Sequence, residues 1–132
     1  MLNIGICDDG ALQRALVTLL IHEYENKHGV KFNLYQFSSG EDLLEKFKED
    51  RNYFDLFFLD NRMKNITGFE TALYIRQYNK ACHIVFITAS DGQDGFSVVA
   101  PLQALIKPAQ QEDINKILDT VLAGRVERSH SG

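Results

Sequence analysis

The run Phe54-Asp55-Leu56-Phe57-Phe58-Leu59 constrains this chain more than any other stretch. It is too short for a buried helix, too apolar for a loop, and shows no inside–outside alternation. Such a run reads as a strand covered on both faces. It stops at Asp60, after which the chain turns polar, reaches Gly68 and opens into a new periodic segment. A carboxylate just past the carboxyl end of a central strand lies where open α/β sheets place their chemistry.

The remaining segments supply the sheet that such a strand needs. Leu2 to Cys7 reads as a first strand, with Leu2, Ile4 and Ile6 on one face, ended by Asp8, Asp9 and Gly10. Leu12, Leu16, Leu19, Leu20 and Tyr24 recur at helical spacing up to about His28, and Gly29 is the stop. Val30 to Phe37 is a second strand. Ser38 and Ser39, before Glu41 and Asp42, resemble a capping box for a helix that turns Leu43, Leu44 and Phe47 inward.

Beyond the central strand, Phe69, Ala72, Leu73 and Arg76 mark one face of a helix ending near Asn79. His83 to Ile87 is a fourth strand. Asp91 to Val99 is a weak helix carrying Gly92 and Gly95, and Leu102 to Ile106 is a brief fifth strand ended by Lys107-Pro108. Ile114, Ile117, Leu118, Val121 and Leu122 draw a final amphipathic stripe. Strands alternating with helices at these spacings predict a doubly wound parallel sheet with right-handed crossovers. The expected organisation is one domain over residues 1–124, with 125–132 as a flexible tail or the start of a linker.

Charge and leader signals exclude several functions. The net charge of −4 and the lack of a Lys/Arg run give no footprint for direct nucleic-acid binding or an anionic membrane. The amino terminus lacks the pattern of a signal peptide, and no apolar run approaches transmembrane length. A cytoplasmic location is the expectation. Cys7 and Cys82 fall at opposite ends of parallel strands, so they read as free, partly buried thiols. The four histidines show no metal-ligand spacing and read as surface or packing residues.

In a parallel sheet all carboxyl ends share one rim. Asp8 and Asp9, Asp60, Thr88 and Lys107 are the residues just past the first, third, fourth and fifth strands. Three carboxylates gathered there need cations to offset their repulsion. Oxygen ligands with room for water suit Mg2+, and Lys107 adds a second positive charge. Such a site fits phosphoryl transfer, with Asp60 as nucleophile and Thr88 as a donor to a phosphoryl oxygen. Asp8, Asp9 and a backbone carbonyl near Arg62 would hold the metal. Taken singly, each residue has a plainer reading: Asp60 as a turn residue, Asp8-Asp9 and Thr88 as caps, Lys107 as a solvated charge. Their coincidence at matching strand ends favours a site.

Ile6-Cys7-Asp8-Asp9, Leu59-Asp60-Asn61-Arg62-Met63 with Gly68, Ile87-Thr88-Ala89 and Lys107-Pro108 together resemble the receiver (CheY-like) domain of two-component response regulators. The resemblance covers about Leu2 to Ala123. It implies a flavodoxin-like fold with strand order 2-1-3-4-5. It also implies phosphorylation of Asp60 by a sensor histidine kinase, Mg2+ on Asp8, Asp9, Asp60 and the Arg62 carbonyl, and a cis Lys107-Pro108 bond. Any turnover would be limited to self-catalysed phosphorylation and dephosphorylation, so the chain is not expected to be an enzyme. The output is expected on the surface around the fourth helix, fifth strand and last helix, which commonly mediates dimerisation. Gly68-Phe69-Glu70-Thr71-Ala72 with Ile75-Arg76 is most similar to receivers joined to a LytTR-type DNA-binding domain, which implies control of transcription.

The chain departs from that pattern at several places. Lys64 stands where Pro usually follows Met63, and Pro101 and Gln103 replace the usual residues. Ala104 occupies the place of a Tyr or Phe whose ring commonly swings inward as the Thr88 hydroxyl moves. The expectation is that the signal is relayed differently here, through the segment Asp91 to Val99. Two other readings compete. A haloacid-dehalogenase-like phosphatase would need a second Asp where Arg62 stands, and a degenerate receiver would act as a binding module without phosphorylation. Asp8-Asp9 would repel a nucleotide phosphate after the first strand, and no Gly-x-x-x-x-Gly-Lys-Ser/Thr motif is present.

Overall fold

In the computed structural model, residues 1–89 and 95–131 are described, the side chains of 126–131 excepted. The Phe-rich run forms β3 (Leu56–Leu59), buried at every residue. With β1 (Asn3–Cys7), β2 (Asn33–Phe37), β4 (His83–Thr88) and β5 (Gln103–Ile106) it makes an all-parallel sheet in the order β2-β1-β3-β4-β5. The doubly wound parallel sheet is the one the strand–helix alternation predicts, and the order is the one the family resemblance implies. α1 (Ala11–His28), α2 (Gly40–Glu49), α3 (Gly68–Tyr78) and α4 (Gln111–Ser131) connect or follow the strands. α4 includes residues 125–131, which the sequence reading set apart as a tail.

The pleat of β3 divides the core in two. Leu56 and Phe58 join Leu2, Ile4 and Ile6 against α1 and α4. Phe57 and Leu59 join Leu43, Phe47, Ala72 and Ile75 of α2 and α3. Each fully buried Phe or Leu contributes about 1.5–3 kcal/mol, so the centre of the sheet is its most firmly held part.

Local signals explain the element ends. Ser39 Oγ accepts the Asp42 amide at 3.1 Å and starts α2. The full capping box belongs to α3, where Thr67 and Glu70 satisfy each other's backbone amides. Gly29 closes α1 at φ 63°, in the left-handed region that suits glycine. β2 begins at Asn33 rather than Val30 because the preceding residues serve the end of α1. There the Val30 amide donates to the Glu25 carbonyl at 3.1 Å, and the Phe32 amide to Glu25 Oε2 at 2.7 Å.

Three readings of the sequence need correction. α1 carries two apolar stripes, and the sheet takes Val17, Ile21 and Tyr24, while Leu12 and Leu19 are 81% and 58% exposed. On α3 the buried positions are Gly68, Thr71, Ala72 and Ile75, and Leu73 is exposed. Of the weak helix expected over Asp91 to Val99, the described part is one 3-10 turn, Phe96–Val99, and residues 91–94 lie outside the described residues.

Candidate functional site

Ladder hydrogen bonds bring the strand ends to one edge. The Asp8 amide donates to Phe37 O at 3.1 Å, the Asp60 amide to Cys7 O at 2.9 Å, and the Lys107 amide to Thr88 O at 2.7 Å. Each bond carries its strand's terminal residue one step past the neighbouring strand, onto the rim. Asp8, Asp60 and Thr88 are buried there, and Asp9 is exposed at the mouth.

Lys107 joins the group. Its Nζ lies 2.9 Å from Asp8 Oδ2 and 3.3 Å from Asp60 Oδ1. The other Asp8 oxygen accepts the Gly10 amide at 2.8 Å, and the Arg62 amide approaches Asp60 Oδ1 at 3.3 Å. One carboxylate oxygen from each of Asp8, Asp9 and Asp60 lies within 4.8 Å of the others. The Lys107-Pro108 peptide is cis.

The electrostatics follow from crowding. Burial and the Asp8 charge raise the Asp60 pKa above the ordinary carboxylate value, and Lys107 and the Arg62 amide offset only part of this. Burial alone would lower the Lys107 pKa, but Asp8 and Asp60 together hold it above the usual lysine value. Cys7 is pushed up to about 12 by burial, with the Asp8 and Asp60 charges adding. It therefore stays a thiol, its Sγ 3.5 Å from Met63 Sδ, and is no nucleophile.

Three carboxylates facing one ammonium leave the rim short of positive charge. An all-oxygen, closely spaced donor set suits a hard divalent cation such as Mg2+. The residues present fit that ion.

Two supporting residues escaped the sequence reading. Arg14 Nη1 donates to the Asp8 carbonyl at 2.6 Å, fixing the backbone under the acidic pair. Asn61 holds the start of α3, its carbonyl accepting the Gly68 amide at 3.0 Å and its Oδ1 the Phe69 amide at 3.0 Å. Arg14 left a faint signal, a cation in the first turn of the helix that follows the acidic pair. Asn61 left none.

A family model described as response regulator receiver domain matches residues 4–119. Over 118 residues the chain is 30% identical to the autoinducer 1 sensor kinase/phosphatase LuxN of Vibrio campbellii, and equally to that of Vibrio harveyi. That match covers 88% of this chain and 13% of LuxN, so the chain spans a small fraction of these relatives' length. Among solved structures, the response regulatory domain of mrkE from Klebsiella pneumoniae superposes with a TM-score of 0.80 at 23% identity, covering 93% of this chain and 97% of that one. The chemotaxis protein CheY4 of Vibrio cholerae gives 0.76 at 23% identity, with 92% and 98% covered. TrrA of Thermotoga maritima, solved with Mg(2+)-BeF, gives 0.73 at 24% identity, with 92% and 99% covered.

Proposed function

The chain belongs to the response regulator receiver domain family, phosphoacceptor signalling domains rather than enzymes in the usual sense, and from that premise we propose that Asp60 is its phosphoacceptor. The observation that carries this reading is the Lys107 ammonium lying between the Asp8 and Asp60 carboxylates, with Asp9 beside them. A kinase phosphohistidine is the donor. Its N–P bond breaks as a bond forms between an Asp60 oxygen and phosphorus, and the imidazole leaves. Lys107 offsets the charge that spreads over the phosphoryl oxygens, and the Thr88 hydroxyl donates a hydrogen bond to one of them. Mg2+, held by Asp8, Asp9, Asp60 and the Arg62 carbonyl, would supply the remaining charge neutralisation.

This assignment is tested by incubating the chain with phosphoramidate and Mg2+ and reading intact mass. One phosphoryl adduct is expected. Steady consumption of the donor without an adduct would point to a phosphatase, and no reaction to a phosphorylation-independent binding module. Lys107→Met keeps the stem and removes the charge, so the phosphorylation rate should fall by about 10- to 1,000-fold. Mg2+ should bind that variant more tightly, because Asp8 and Asp60 lose their internal competitor. Unchanged phosphorylation in Lys107→Met would remove lysine from the mechanism.

We further propose that the exposed leucines of α1 receive the kinase. Leu12, Ala15, Leu16 and Leu19 line a shallow apolar groove whose edge residue, Gln13, also borders the cavity beside Asp8 and Asp60. A histidine-bearing helix laid in that groove would stand next to the phosphoacceptor. Leu16→Glu should reduce phosphotransfer from the kinase at least tenfold and leave phosphorylation by phosphoramidate within about twofold. Equal loss with both donors would show damage to the site rather than to docking.

Among the described residues no helix is long and apolar enough to cross a membrane. We take the chain as a cytoplasmic module, residues 1–124 forming the receiver, with a LytTR-type output domain, transcriptional control and homodimerisation as the readings that its sequence resemblance favours.

A further inference from the structure

A helix leaves its first backbone amides without partners inside the helix. At the start of α3 these amides are divided between two residues. Thr67 Oγ1 takes the Glu70 amide at 3.0 Å, as part of the capping box. The Gly68 and Phe69 amides go instead to Asn61, the first to its carbonyl oxygen and the second to its Oδ1, each at 3.0 Å. Asn61 therefore caps α3 from outside the helix, and it stands immediately after Asp60.

That placement gives the cap a second consequence. Its two bonds close the loop of residues 62–67 at the base. Within the loop, Met63 Sδ rests 3.5 Å from Cys7 Sγ of β1, and the Arg62 amide approaches Asp60 Oδ1 at 3.3 Å. Arg62 lies between the Asn61 clasp and the Met63 contact, so its backbone is held from both sides. Asp60 has an anchor of its own, the ladder bond from its amide to Cys7 O at 2.9 Å. Losing the clasp would thus release the Arg62 backbone while Asp60 stays on the strand end.

The chemistry of the side chain suits this task. An aliphatic residue of the same size would leave the part-buried Phe69 amide without its acceptor. A carboxylate would accept that amide but would add a fourth anion beside Asp8, Asp9 and Asp60. Asparagine supplies the acceptor without the charge.

We infer that Asn61 is a positioning residue for Mg2+: by clasping the start of α3 it holds the Arg62 carbonyl in place, and so sets the metal affinity without touching the ion. The inference rests on the reading in which Asp8, Asp9, Asp60 and the Arg62 carbonyl bind Mg2+. Linkage makes the effect reciprocal, so bound Mg2+ tightens the clasp by the factor that the clasp adds to Mg2+ affinity.

The test uses the full chain, with Mg2+ affinity read by calorimetry and exchange of the Phe69 amide read by NMR. Asn61→Leu should weaken Mg2+ binding about tenfold. Its phosphorylation by phosphoramidate at saturating Mg2+ should slow by less than about threefold, because Asp60 keeps its ladder bond. Asn61→Asp restores the acceptor and should bind Mg2+ at least as tightly as the wild type. In the wild type, saturating Mg2+ should slow exchange of the Phe69 amide about tenfold, with the calorimetric midpoint, a result that does not depend on any variant folding. Asn61→Leu that is less stable but binds Mg2+ like the wild type would reduce Asn61 to a helix cap and overturn the inference. So would Phe69 exchange indifferent to Mg2+, or Asn61→Asp binding Mg2+ more weakly than the wild type. Each of these leaves the phosphoacceptor reading standing, whereas a wild-type chain that binds no Mg2+ would overturn both.

Discussion

Asp60→Asn is expected to give a protein that folds more tightly and accepts no phosphoryl group. The Asp60 carboxylate is buried, and burial together with the Asp8 charge raises its pKa in the folded state. The sign follows from linkage. An acid whose pKa is higher folded than unfolded destabilises the fold as pH rises from the ordinary carboxylate value through the raised one, because the folded state resists losing the proton. Above the raised value that destabilisation is present in full. Removing the charge should then stabilise the domain by about 0.5–2 kcal/mol, or roughly 2–8 °C in Tm. The gain should vanish as pH falls below the ordinary carboxylate value, where the wild-type residue is protonated as well. Lys107 loses one partner but keeps Asp8 at 2.9 Å, so the variant is not left with an unpaired ammonium. Thermal denaturation across pH, beside intact mass after phosphoramidate, checks both halves. A variant less stable than wild type at about pH 7 would contradict the electrostatic account.

Gly68→Ala should have a comparably large effect in the opposite direction. A Cβ at Gly68 would lie 2.3 Å from the Asp60 carbonyl oxygen, 2.9 Å from its carbonyl carbon and 3.0 Å from Asn61 Cα. All three are backbone atoms and cannot rotate aside. The loop that carries Asp60 must therefore move, or α3 must shift away from the sheet. A loss of about 2–4 kcal/mol is expected. Phosphorylation should slow by at least about tenfold, because a small misplacement of a reacting group is costly. Gly124→Ala is the control: its added methyl meets nothing within 4 Å, and alanine suits a helix better by up to about 1 kcal/mol. Denaturant titration of both variants separates the close approach at Gly68 from any general intolerance of glycine substitution.

Much of this is legible in the sequence, and the reason is physical. An apolar run such as Phe54 to Leu59 can be stable only between two helical layers, and that requirement fixes the parallel sheet and so the shared rim. Asp8, Asp9, Asp60, Thr88 and Lys107 could be placed on that rim by strand ends alone. α1 resisted the same reasoning, because Leu12-Leu16-Leu19 and Val17-Ile21-Tyr24 are both helical stripes and periodicity does not say which one meets the sheet. The capping box expected at α2 is only half made. Ser39 caps α2 with one bond, whereas Thr67 and Glu70, spaced for the reciprocal pair, make the full motif on α3.

What could not be read were contacts between residues distant in sequence or coming from the backbone. Arg76 reaches across to Val99 and Ala100, and no local pattern announces that reach. The left-handed Ala100 is invisible in a sequence because nothing in alanine prefers that conformation. Gly68 is plain as a helix start, but its tight seat against the Asp60 carbonyl appears only in three dimensions. The interlock between Lys107 and the two carboxylates is likewise a matter of distance, although the charges that make it were in view.

The measurement that bears most directly on the central claim is the chemical location of the phosphoryl group. An aspartyl phosphate is an acyl phosphate, and borohydride reduces it to homoserine. After incubation with phosphoramidate and Mg2+, reduction and peptide mass spectrometry should find homoserine at position 60 and nowhere else, with none when Mg2+ is chelated. Homoserine at another position, or an unreduced chain after full exposure to the donor, would contradict the assignment of Asp60 as the phosphoacceptor.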